Sequence, residues 1–486
     1  MAALAGLAEA LRAAIGPERV LTDRLQCKTY ECDGLSHYKA TPAVVVLAET
    51  AEHVRVAVRL CFERGVPFVA RGSGTGLSGG ALPVVDGVLI VMTRMRSIRD
   101  VDIPNQRAVV EPGVINLWLT REAAPQGYYY APDPSSQQVC SIGGNLAENS
   151  GGAHCLKYGF TANHVTGAEV VLPDGSQVTL GGKAIEHPGY DLLGVVVGSE
   201  GTLGIATSIT VRLLRKPEAV ETLLAGFSSV ADAGATVSEI IAAGVLPAAI
   251  EMMDALAIEA AEAAVHCGYP VGAEAVLIVE LDGPAAEVRA QFDEVGRIAR
   301  DHGAFEVRVA ADAEERALMW KGRKSAFAAV GRISPNYIVQ DGVIPRTALP
   351  EALAGIGQLG VERGIRVANV FHAGDGNLHP LVLFDDAAPG EEARAHEVAG
   401  GILDICMGLG GSITGEHGVG IDKAQYLGRQ FTAEDLDTMQ LVRCAFDPTG
   451  ISNPGKLFPT PRLCGERPGP HQGVHPLQEK GLAEVF

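Results

Sequence analysis

Two histidines on either side of a short turn give the first sign of chemistry. Val367-Ala368-Asn369-Val370-Phe371-His372 has the composition of a strand, Ala373-Gly374-Asp375-Gly376-Asn377 that of a turn, and Leu378-His379 begins a second strand through Leu383-Phe384. Folding the strands back on each other sets the two imidazoles side by side, close enough to share a divalent ion. Further along, Gly415-Glu416-His417-Gly418 presents a carboxylate and an imidazole between glycines. Any one of these histidines alone would more often be a hydrogen-bonded structural residue. Together, two His and one Glu form a ligand set of borderline hardness, suited to Zn²⁺ or Mn²⁺ with positions left open for a substrate. A neutral imidazole beside a metal-bound alcohol can remove its proton. We therefore assign His372, His379 and Glu416 as ligands and His417 as general base, with the reverse roles of Glu416 and His417 still open. Trp320-Lys321-Gly322-Arg323-Lys324 places three cations in an acidic chain, and Arg323 can fork onto a substrate carboxylate. A solvated helix face is the alternative reading of that run.

The elements that must position this chemistry begin with Arg71 to Gly80, RGSGTGLSGG, in which five of ten positions are glycine. The loop follows the strand-like Val66 to Ala70 and precedes another strand, Gly87 to Met92, rather than a helix. Glycine lets backbone N–H groups approach an anion, so the loop reads as a pyrophosphate cradle between two strands and not as a Rossmann turn. A second loop-rich stretch, Tyr130 to Gly159, is stiffened by Pro132 and Pro134 and carries Gly143-Gly144 and Gly151-Gly152. A third glycine set, Gly198, Gly201 and Gly204, precedes the strand Ile205 to Leu214.

At 486 residues the chain suggests two to four domains, taking roughly 100–200 residues for each. A formal net charge of −19, with no Lys/Arg block, argues against nucleic acid or anionic membrane as partners. Nine scattered cysteines without a C-x-x-C pair support neither a disulfide framework nor a cluster site, and point to a reducing compartment. No apolar run reaches the ~18 residues of a membrane span. Leu4, Leu7, Ala8 and Leu11 mark an amphipathic N-terminal helix rather than a signal peptide. An extended connector, Cys27 to Pro42, then leads to a strand at Ala43 to Ala48. Thr50 caps a helix with the stripe Val54, Ala57, Val58, Cys61 and Phe62, ended by Gly65. Beyond about Lys216 strands and helices alternate in a separate α+β domain, expected as an antiparallel sheet with helices on one face. The tail beyond Pro461 reads as an extended arm.

These motifs, taken with YECDGLS, YYAPDPSSQ, CSIGGN, GGAHCLKYG, GSEGTLG, FHAGDGNLHP, GEHGVG and NPGK, resemble the vanillyl-alcohol oxidase (PCMH) type of flavoprotein over nearly the whole chain. Within that type the chain is similar to the family of FAD-linked catalytic subunits of bacterial glycolate oxidases and of D-lactate and D-2-hydroxyglutarate dehydrogenases. The resemblance implies an α+β fold: an N-terminal helix and connector (1–37), a FAD-binding domain of PCMH type (38–217), a substrate or cap domain with the metal site (218–445), and a segment closing on FAD (446–486). It implies FAD contacts from Arg71, Gly72, Ser73, Gly74, Thr75, Gly76, Leu77 and Gly79. Others would come from Pro132, Asp133, Ser136, Ser141, Gly143, Gly144, Asn145, Gly151, Gly152, Tyr158 and Gly159, and from Glu200, Gly201, Gly204, Ile205, Asn453 and Lys456. Relatives that tether FAD covalently through this loop use a histidine where this chain has Thr75, so non-covalent FAD is expected. The same resemblance matches His372, His379 and Glu416 to metal ligands, His417 to the base and Arg323 to a carboxylate-binding arginine. A lysine that D-2-hydroxyglutarate enzymes carry near Val339 is missing, which favours a short monocarboxylate such as glycolate or D-lactate. The expected activity is metal-assisted oxidation of a 2-hydroxy acid by hydride transfer to FAD. Electrons would pass to an iron–sulfur subunit and a second flavin-type subunit, or to quinone, with the protein cytoplasmic or peripheral at the inner face of the membrane. Alternatives are a dehydrogenase acting alone, a FAD-carrying subunit that oxidises nothing, and a metal hydrolase with a nucleotide substrate.

Overall fold

The computed structural model describes residues 2–184 and 189–458. The expected arm beyond Pro461 therefore lies outside the described residues. The helix Ala2–Ile15 packs Leu7, Leu11 and Ile15 against Val54, Ala57, Val58 and Cys61 of the helix Ala51–Arg64, in one core with the first sheet. Thr50 caps the second helix by accepting from the His53 N–H, and Gly65 ends it in the left-handed region. Phe62, expected in the apolar stripe, lies instead on the outer side at 37% exposure. A short helix, Arg24–Lys28, capped by Asp23, which accepts from the N–H groups of Leu25 and Gln26, leads into the expected extended connector and overlaps only its first two residues.

The first sheet has the order Val20–Leu21, Val44–Leu47, Val88–Val91, Phe68–Arg71, with the last three strands parallel. The glycine loop thus leaves the carboxyl end of Phe68–Arg71. On the free edge of that strand the chain returns from its far end: the Phe68 N–H donates to Ile451 O at 2.9 Å and the Asn453 N–H to Phe68 O at 2.8 Å. A second, antiparallel sheet runs Ile98–Asp102, Arg107–Val110, Ile205–Arg212, Val165–Val171, Gln177–Gly181.

The third sheet, wholly antiparallel, has the order Glu306–Val309, Ala219–Phe227, Ala275–Gly283, Ala249–Asp254, Val367–His372, Asn377–Phe384, Asn336–Val339, with Gly342–Val343 also on Asn377–Phe384. Helices cover both of its faces, which corrects the one-sided arrangement expected. Val230–Ala242, Ala285–Asp301, Leu349–Arg363 and Glu391–Gly408 pack on one side, Ala255–Val265 and Ala313–Val330 on the other. The strands foretell this: Ala275 to Leu281 is buried at every position, where a one-sided sheet would alternate. Among the described residues no helix is long and apolar enough to cross a membrane.

Candidate active site

The hairpin Val367–His372/Asn377–Phe384 pairs Val370 with His379 and His372 with Asn377, so both histidines project from one face. Their ring centroids are 4.9 Å apart. Glu416 arrives between them, its Oε1 3.3 Å from His372 Nε2 and 3.0 Å from His379 Nε2. One donor atom from each of the three lies within 4.8 Å of the others. The remaining ring nitrogens are already held: His372 Nδ1 lies 2.8 Å from Glu251 Oε1 and His379 Nδ1 3.4 Å from Gln340 O. Outer partners of this kind fix which imidazole nitrogen is presented inward. Burial disfavours the Glu416 carboxylate, but the hydrogen bonds from His372 and His379 outweigh it and hold the acid well below its ordinary range.

A second grouping, Asp341, His379 and His417, is equally compact. It is the poorer cation site. Asp341 already accepts the Thr414 hydroxyl at 2.6 Å and the N–H groups of Gly415 and His417 at 3.0 Å, and pairs with Lys423 Nζ at 3.2 Å. Most of its acceptor capacity is taken, and the neighbouring ammonium already supplies positive charge. Asp341 instead shapes the Gly415–Gly418 turn, a role the sequence did not reveal.

His417 stacks on His379 at 4.9 Å and 9°. Burial pushes its imidazole down to about 4, so it is neutral at ordinary pH. Arg323, on the helix Ala313–Val330, is buried rather than on a solvated face, which settles that alternative. Its Nη2 lies 2.6 Å from Glu251 Oε2, an ion pair not aligned as a hydrogen bond, and its Nε has no partner among the described residues. A buried guanidinium with an unused donor is a site waiting for an acceptor.

Two adjoining cavities, which share Gly72, Ala81, Gly144 and Glu148, lie along the glycine loop, and one of them reaches this constellation. The linked pair suits a two-lobed nucleotide, with glycine backbone along both lobes. One is lined by Gly72 to Leu77, Ser136, Ser141, Gly144 and Asn145, and also by Glu416 and His417. The other is lined by Arg71, Gly143, Glu200, Gly201, Gly204 and Ile205. The structure therefore brings most of the expected cofactor residues to one cleft and opens that cleft onto the histidines. Gly74 sits at φ +69°, and a Cβ there would collide with the Arg71 guanidinium folded over the loop. Gly74→Ala should weaken FAD binding about tenfold, from roughly 1–2 kcal/mol of left-handed strain, as read by flavin fluorescence titration; unaltered affinity would mean the loop does not touch the cofactor.

Other expected residues go elsewhere. A Cβ on Gly151 would stand 2.6 Å from Glu416 Oε2, so this glycine permits the approach of the ligand turn. The Asp133 carboxylate lies 2.8 Å from His154 Nδ1, and His154 Nε2 lies 3.0 Å from Glu280 of the third sheet. Tyr158 donates to Asp282 at 2.5 Å. These pairs join the nucleotide-binding part to the third sheet beside a separate groove. Asn453 donates to Gly80 O and Glu200 O, and Lys456 Nζ to Leu82 O at 2.9 Å, so both tie the returning segment to the glycine loop.

Glycine cradle, shared cleft and facing polar triad are the architecture of a flavoprotein oxidoreductase, and the comparisons agree. The chain belongs to the FAD-linked oxidases: residues 42–181 match the family model for an FAD binding domain, and residues 216–457 that for the C-terminal domain of FAD linked oxidases. It is 53% identical to the glycolate oxidase subunit GlcD of Escherichia coli (strain K12) over 90% of this chain and 88% of that protein. The subunit of the same description from Bacillus subtilis (strain 168) is 39% identical over 91% of this chain and 94% of its own length. A D-lactate dehydrogenase of Anaerostipes hadrus is 33% identical over 91% and 95%. Among solved structures, p-cresol methylhydroxylase with substrate bound superposes with a TM-score of 0.77 at 18% identity, over 94% of this chain and 97% of that one, which shows the fold. The resemblance read from the motifs is borne out, and the protein is an FAD-dependent oxidoreductase.

Proposed function

We propose that the chain oxidises a short 2-hydroxy acid, glycolate or D-lactate, within a complex whose other subunits receive the electrons. The observation that carries this reading is that Glu416 and His417 line the same cavity as the glycine loop Gly72 to Leu77. Bound FAD supplies the acceptor for the hydride of C2, and a Zn or Mn ion on His372, His379 and Glu416 would supply positive charge beside the substrate hydroxyl. Arg323 offers its unpartnered Nε to the substrate carboxylate and so fixes which face of C2 turns towards the cleft. His417, neutral, takes the hydroxyl proton on its ring nitrogen. Glu251 keeps the guanidinium and His372 in place, with one carboxylate oxygen on each.

Val339 packs its apolar side chain against the core on this side of the sheet, in keeping with a substrate that has no second carboxylate. Thr75, in the cavity, offers a hydroxyl where a covalent tether needs an imidazole, in keeping with non-covalent FAD. The relatives named as glycolate oxidase subunits support a multi-subunit assembly, for which an iron–sulfur subunit and a second flavin-type subunit are our proposal.

The test is anaerobic bleaching of the flavin by glycolate, both lactates and D-2-hydroxyglutarate. Glycolate or D-lactate should reduce it fastest; bleaching by D-2-hydroxyglutarate alone would overturn the substrate assignment. Arg323→Lys, which keeps charge but loses the planar fork, should raise KM about tenfold to a hundredfold with a smaller change in kcat. An unchanged KM would remove Arg323 from the carboxylate site.

A further inference from the structure

Glu148 stands where the two cavities meet and lines both. Neither the motifs nor the proposed chemistry uses it. Its Oε2 is buried and has no hydrogen-bond partner among the described residues. A second carboxylate, Glu200, lies against it: a Cβ placed on Gly80 or on Gly418 would touch both side chains. Glu200 has an evident task as an anion, because its Oε1 accepts the Val419 N–H at 2.7 Å and its Oε2 the Gly420 N–H at 2.8 Å. Glu148 has none. It also ends the helix Ile142–Glu148, where the carbonyl end disfavours negative charge. Above all, it lines the same cavity as the loop Ser73 to Leu77, where the proposed pyrophosphate would lie, so an ionised Glu148 would repel the very group the loop would attract.

We propose that Glu148 takes up one proton as FAD binds and presents a neutral carboxyl, a hydrogen-bond donor, to the bound nucleotide. The proton comes from solvent and the carboxylate oxygen gains it; no other bond changes. Burial, followed by the charges of Glu200 and Asp33, holds this acid well above its ordinary range against the pull of Lys456. Glu416 and His417 face it from across the cavity. The sign follows from linkage: a raised carboxyl pKa is raised further by an anionic ligand, so FAD affinity is full at low pH and is lost as pH rises through the pKa of the complex.

Calorimetric titration of FAD into the deflavinated full-length chain, in buffers of different ionisation enthalpy and at pH values stepped upward, should show proton uptake near zero at low pH, where the acid is protonated beforehand, and rising towards one above the onset of its titration. The wild-type Kd should rise by up to about tenfold per pH unit above the onset, while Glu148→Gln, which carries the neutral donor permanently, should stay within about threefold over the same range. Lys456, lowered to about 8 chiefly by burial, also titrates nearby and would give uptake of the same sign. A Glu148→Gln variant that keeps the wild-type slope would assign the proton to Lys456 or another group and overturn the proposal. Absence of proton uptake at every pH over which FAD still binds would overturn it without any variant. Because the readout is FAD binding, it stands or falls independently of which hydroxy acid is oxidised.

Discussion

His417→Ala should slow substrate-driven flavin reduction by about 10²–10⁴-fold, the usual contribution of a positioned general base. The FAD content and visible spectrum should not change. The turn is held through backbone, since the His417 N–H donates to Asp341 at 3.0 Å and the neighbouring Gly415 N–H does the same, so removing the imidazole leaves the loop in place. Rapid-mixing measurement of flavin bleaching under anaerobic conditions separates this step from electron transfer to any partner. Reduction at the wild-type rate would exclude His417 as the base and return that role to Glu416.

A larger loss is expected from His379→Ala. His379 is 1% exposed, sits between His417 and Glu416, and contributes one of three donor atoms within 4.8 Å. If the three donors hold a divalent ion as proposed, two would not retain it, and turnover should fall by more than about 10³-fold, because cation charge beside a developing alkoxide is worth several kcal/mol. Elemental analysis of the purified variant should find less than a stoichiometric metal. Chelation of the wild type should reproduce the loss, and Mn²⁺ or Zn²⁺ should restore the wild type but not the variant. A His379→Ala protein that retains both metal and turnover would refute the ligand assignment.

The legible part of the site is the part that is local in sequence. His372 and His379 flank one turn, and Glu416 and His417 are adjacent between glycines, so spacing placed the members of each pair together; the meeting of the two pairs was argued from their chemistry as a ligand set and from the motif resemblance. The glycine loop was legible for the same reason. Asp341, Glu251 and Glu148 were not. Asp341 serves a turn 74 to 76 residues away, and Glu251 meets His372 across 121 residues, through pairing of Ala249–Asp254 with Val367–His372. A carboxylate in an apolar strand such as Ala249 to Met253 gives one signal, since it is costly unless partnered, but it does not name the partner. The fold behaved similarly. Periodicity located the strands and helices of the C-terminal part, but the choice of one or two covered faces had to be read from unbroken apolar runs, which the alternation of elements obscured.

Asp133 and Tyr158 mark the limit of carrying residues over by motif. Asp133 stands in a loop and Tyr158 ends the short helix Cys155–Tyr158; their side chains turn to His154 and Asp282, and Tyr158 directly, Asp133 through His154 and Glu280, tie these segments to the third sheet. Proximity in sequence to cofactor residues places a backbone; it does not aim a side chain.

The late strand-like partner of Phe68 has a bearing on how the protein is made. Asn453 reaches Gly80 across 373 residues of chain. Contacts so distant in sequence form slowly and after the local ones. During synthesis on the ribosome the first domain can assemble its parallel sheet, but the bonds that brace the glycine loop wait for nearly the whole polypeptide to emerge. The bracing of the glycine loop is thereby tied to the arrival of the segment Ile451 to Lys456, so the two walls of the cleft are completed together.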